Sequence, residues 1–103
     1  MISAMLIAAL VQTAAINNQR DKYIACLEEA AGTATVQKMP AEAFEPHLRQ
    51  TCADSEKSFK DSLIAFDVKN KVGRKQATAD AQLQADDFVI SMVDNYKAVL
   101  ARK

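Results

Sequence analysis

The chain has no tryptophan. It has only two glycines, two prolines, two cysteines and one histidine among 103 residues. So little glycine and proline excludes an all-β architecture built on repeated tight turns. One histidine and two distant cysteines make a poor zinc site. Neither sign of charge is in excess, because 13 Lys and Arg balance 13 Asp and Glu; this argues against nucleic acid as a partner. No apolar run approaches the roughly 20 residues that span a bilayer. There is no glycine-rich phosphate loop, no paired-histidine metal motif and no nucleophile elbow. No catalytic, cofactor-binding or metal-ligating residue is therefore assigned, and the chain reads as a non-enzyme.

What is present is a foldable composition, half hydrophobic and a quarter charged, sized for one small domain. Its first charged side chain is Arg20. The unbroken apolar run over residues 4–11 has the length of a secretory h-region, about 7–15 residues. Thr13, Ala14 and Ala15 then offer small side chains to a peptidase. Residues 1–15 are thus expected to be a signal peptide cleaved after Ala15, with 16–103 as a single helical domain. The destination would be extracytoplasmic, in a bacterial periplasm, and no membrane span would remain after cleavage. The alternative is a cytosolic helical interaction module with the apolar segment packed into its core. Against it, residues 4–11 lack the polar stripe that an amphipathic core helix shows every three to four residues.

Cys26 and Cys52 are an even pair, which in an exported small domain predicts one disulfide.

Periodicity predicts three helices. The first spans about 18–31, capped by Asn17 or Asn18 and stopped by Gly32. A short turn at 41–45 leads into the second, about 46–70, with Pro46 in its first turn. Its stripe is Leu48, Cys52, Phe59, Leu63 and Phe66. The third, about 76–101, carries Ala81, Ala85, Phe88, Met92, Tyr96 and Val99, widened by Val89, Val93 and Leu100. The expected fold is all-α: a three-helix antiparallel up-down-up bundle preceded by the apolar signal-like segment.

At 1.5 Å per residue, a first helix of about 21 Å cannot cover partners of about 37–39 Å. The far end of the hairpin would leave apolar side chains uncovered. Phe59, Ile64, Phe66, Val68 and Val72 are therefore the expected interface, for a homodimer or an unidentified protein partner. Other constellations read as solvated surface. His47 is expected to be exposed near a helix start. Asp80, Asp87 and Asp94 align on one face at intervals of seven. The run 69–75 holds four cations, Lys69, Lys71, Arg74 and Lys75, without interleaved aromatics for base stacking.

Overall fold

The computed structural model describes residues 2–102, with side chains described from Thr13 onward. Of the expected signal segment, residues 1–12 lie outside the described side chains. The element order is α1 (Ile2–Val36), α2 (Ala41–Thr51), α3 (Ala53–Lys69) and α4 (Arg74–Ala101), with no strand among the described residues. The chain is all-α with four helices. The single helix expected over about 46–70 is interrupted at Cys52, which closes α2 with its amide on the Leu48 carbonyl and opens α3 with its own carbonyl.

Cross-chain contacts set the directions. Tyr23 meets Ala85 and Ala34 meets Tyr96, so α1 and α4 run parallel. Cys26 meets Cys52 and Ala30 meets His47, so α2 and α3 form the descending stroke between them.

Helix boundaries differ from expectation for identifiable reasons. α1 runs unbroken through Asn17 and Asn18, so neither caps it; Asn17 Oδ1 instead accepts from Arg20 at 2.9 Å. Gly32 does not stop the helix. The stop is Lys38, in the left-handed region at φ 56°. Its amide bonds the Thr35 carbonyl, and the Met39 amide bonds the Ala34 carbonyl, which is a Schellman closure. The same closure ends α3, with Lys71 at φ 69° and the Val72 amide on the Asp67 carbonyl. Lysine thus stands twice where glycine is the usual residue. α2 begins directly after Pro40, so Pro46 lies inside it rather than in a first turn. The carbonyl that Pro46 leaves without an amide belongs to exposed Glu42, where water can meet it.

The core draws on every helix: Ile16, Tyr23, Leu27, Ala30 and Ala34 from α1, Phe44 and Leu48 from α2, Phe59 and Leu63 from α3. On α4 the buried stripe is Ala77, Ala81, Ala85, Val89, Val93 and Tyr96. Phe88 and Met92 sit half-buried at its edge, and Val99 is 42% exposed, so the inner face is turned about one residue from the expected one. Small alanines at the centre of α4 let neighbouring backbones approach closely enough for the Tyr23 hydroxyl to reach the Ala85 carbonyl at 3.2 Å.

Candidate functional site

Cys26 and Cys52 form a disulfide, with Cα atoms 5.9 Å apart. It ties the middle of α1 to the interruption between α2 and α3.

The five expected interface residues do not share one surface. Phe59 is fully buried. Its ring stacks on Tyr23 at 5.8 Å between centroids and meets Phe88 edge-on at 5.9 Å, while the Arg20 guanidinium lies 5.6 Å from its centroid. It belongs to the core, because it stands one turn before Leu63 on the stripe that α1 and α4 enclose. Ile64 and Phe66 are half-buried and pack against that core. At 100° per residue, Ile64 and Val68 share one edge of α3, and Phe66 faces the other way. Val68 and Val72 are half-buried beside the α3–α4 turn.

Phe66 lies on the side facing α1. With Ala15, Ser62, Ala65 and Lys69 it lines a shallow cavity of about 210 Å³. The antiparallel register thus brings the residues just before Ile16 alongside the last turn of α3.

A polar cluster spans the interruption at Cys52 and had no counterpart in the sequence reading. Arg49 on α2 binds Glu45 at 3.0 Å and Asp86 of α4 at 2.9 Å. Gln82 donates to Asp86, and Lys60 of α3 donates to Gln82. Glu56 Oε1 is buried without a hydrogen bond, its nearest charge being Arg49 at 3.9 Å. The Glu45–Arg49 spacing of four is visible in sequence. The Arg49–Asp86 contact crosses 37 residues and carries no local signal. Nearby, burial pushes the Tyr23 hydroxyl well above its ordinary value, with the Glu56 charge adding to it and Arg49 opposing. A neutral hydroxyl already donated to a carbonyl is no nucleophile, so the cluster acts as a clamp between α2, α3 and α4.

The clamp has a pH signature. Burial raises the Asp86 carboxyl, but hydrogen bonds from Arg49 and Gln82 outweigh it and hold the group below its ordinary 3.8. A depressed carboxyl stabilises the fold above its unfolded value and loses that contribution as pH falls through the folded value. Asp86 and Arg49 side chains are 30% and 35% exposed, so the effect is modest. Asp86→Asn is expected to lower stability by about 0.5–1 kcal/mol at neutral pH and to be neutral at the acid end of the titration. Urea titrations at both ends of the range check this; a difference that does not change with pH removes the assignment.

His47 is half-buried rather than exposed, its Nε2 lying 3.1 Å from the Ala30 carbonyl, a contact that requires the proton on Nε2. Asp87 and Asp94 are exposed and Asp80 half-buried. Among the described residues no three His, Cys, Asp or Glu side chains converge as metal ligands. Lys69, Lys71, Arg74 and Lys75 are all exposed around the α3–α4 turn.

At the opposite end of the bundle, the last turns of α1 and α4 enclose a trough. Its larger part, about 390 Å³, is lined by Thr35, Lys38, Tyr96, Val99 and Leu100. An adjoining, more open part of about 170 Å³ shares Thr35, Tyr96 and Val99 and reaches Ala31, Phe44, Met92 and Asn95. The Phe44 and Tyr96 rings stack at 3.9 Å, and the Tyr96 hydroxyl donates to the Met39 carbonyl. Sequence reading missed this site, since the same apolar residues at helical spacing read as core. Comparison with protein-family models, curated proteins and solved structures finds no match for this chain.

Proposed function

We propose that the protein is exported, is cleaved after Ala15, and works as a non-catalytic binding module through the α3 face around Ala65 and Phe66. The observation that supports this reading is where buried side chains begin among the described residues of α1. Thr13, Ala14 and Ala15 are exposed, whereas Ile16 is 8% exposed and is the first buried residue of α1 among those described. A cut between Ala15 and Ile16 therefore spares every described core residue. The mature α1 would run from Ile16 to Val36, about 31 Å at 1.5 Å per residue, longer than the sequence alone suggests. The cut would also remove Ala15 from its place beside Ala65 and Phe66, baring an apolar face for a protein partner or a second copy. The disulfide suits an oxidising compartment, and no described helix is long and apolar enough to cross a membrane.

A second reading keeps the segment. α1 passes through Ala14, Ala15 and Ile16 without a break, as expected of a cytosolic module whose first helix stays whole.

Intact mass of the protein from its own cells, without reductant, separates the two. A mass starting at Ile16 and two hydrogens light is expected; a full-length mass with free thiols overturns export. Sedimentation of the mature chain then tests self-association through the face, and Ala65→Arg, at an exposed position, should abolish any dimer without unfolding it. A dimer that persists in Ala65→Arg moves the interface elsewhere.

A further inference from the structure

We propose that the trough between the ends of α1 and α4 binds a free single-chain fatty acid, its tail laid along the groove over Phe44 and Met92 and its carboxylate on Lys38. Together the two parts of the trough reach the volume typical of small-molecule sites, about 300–1,000 Å³. Its floor is Ala31, Phe44 and Met92. Its lip is apolar as well, since Val99 lines both parts and is 42% exposed. Such side chains favour an occupant that brings apolar area out of water.

The polar groups of the wall decide which apolar occupant. The Tyr96 hydroxyl is committed to the Met39 and Ala34 carbonyls. The Thr35 hydroxyl is committed to the Ala31 carbonyl at 2.9 Å. A peptide entering the trough would bring several amides to a wall whose one uncommitted polar side chain among the described residues is Asn95, which leaves most of them unpaired; an alkyl chain brings none. At the mouth the one charged side chain on the lining is Lys38, and no Asp or Glu lines either part. Among the described residues Lys38 has no ion-pair partner within 4.0 Å. An apolar interior with one uncommitted cation at its opening matches one apolar tail with one anionic head. The site lies within residues 31–100, so it is the same whether or not residues 1–15 are removed, and its test is separate from that of export.

The experiment is titration calorimetry of the disulfide-bonded chain with decanoate, below its micelle concentration. One-to-one binding is expected. Shortening the tail to octanoate and hexanoate should weaken it about four-fold per methylene. Decanol, which lacks the charge, should bind about ten-fold more weakly than decanoate. Lys38→Gly should weaken decanoate about ten-fold and erase its advantage over decanol. The same variant should melt at a higher temperature, since glycine relieves the left-handed position, so weaker binding cannot be attributed to unfolding. Lys71→Gly, the equivalent change at the end of α3, should also raise the melting temperature and leave decanoate binding unchanged. The proposal falls if decanoate shows no saturable binding, if decanol matches it, or if Lys71→Gly weakens it as much as Lys38→Gly. It also falls if a short peptide ending in leucine binds more tightly than decanoate.

Discussion

Phe59→Ala is expected to destabilise the fold by about 3–5 kcal/mol, with the urea m-value unchanged. The ring is the point where α1, α3 and α4 meet. It stacks on Tyr23, meets Phe88 edge-on, and lies under the Arg20 guanidinium. Tyr23 and Phe88 in turn meet edge-on at 6.1 Å, so the three rings form a closed set. Removing one leaves a void that the other two cannot fill without leaving their partners, because Tyr23 is held by its bond to the Ala85 carbonyl. A domain of this size has roughly 5–10 kcal/mol of stability in total, so the variant should be marginal at 37 °C. An interface residue behaves oppositely: truncation changes stability by about 0.5 kcal/mol or less and reduces association. A loss below about 1 kcal/mol would return Phe59 to the surface. Val68→Lys is the control, at a half-buried position in the last turn of α3 where a cation suits the helix dipole.

Phe59 also shows what the sequence could and could not convey. Its place on a helical stripe with Leu63 was legible, because the period of apolar residues is a local property. Whether that stripe was covered depended on how far α1 reached, and that was not local. Gly32 looks like a stop when only its neighbours are considered. The helix continues because Ala34 is buried and because the Tyr96 hydroxyl, 62 residues away, approaches its carbonyl. The closure then falls on Lys38, a residue with no turn preference. The interruption at Cys52 is equally invisible: no glycine or proline marks it, and Pro46, the obvious breaker, lies inside α2. For the candidate sites the division is similar. The cysteine pair was legible by count. The trough was not, since Tyr96 joins Thr35 and Lys38 only through the parallel docking of α1 and α4.

Reduction of the Cys26–Cys52 bridge is expected to lower stability by about 3–4 kcal/mol while leaving the folded structure in place. The two residues are 26 apart, and the loop they close contains the last turns of α1, the 37–40 connection and the whole of α2. In the chain-entropy account the bridge acts by limiting the unfolded chain. The folded chain holds α2 by other means. Phe44 stacks on Tyr96, His47 bonds the Ala30 carbonyl, and Arg49 binds Asp86. Reducing the wild-type chain leaves both sulfur atoms where they pack, so no cavity effect is mixed into the comparison. Urea titrations with and without reductant should therefore give a lower midpoint together with a larger m-value, because the opened chain exposes more surface on unfolding. Amide exchange over α2 should rise only as far as global unfolding rises. If α2 amides instead exchange independently while the rest stays protected, the bridge is a native-state clamp and the entropic account fails. A loss under about 1 kcal/mol would make the bond dispensable. At the expected size, a chain kept reduced would forfeit a third or more of the stability of a small domain.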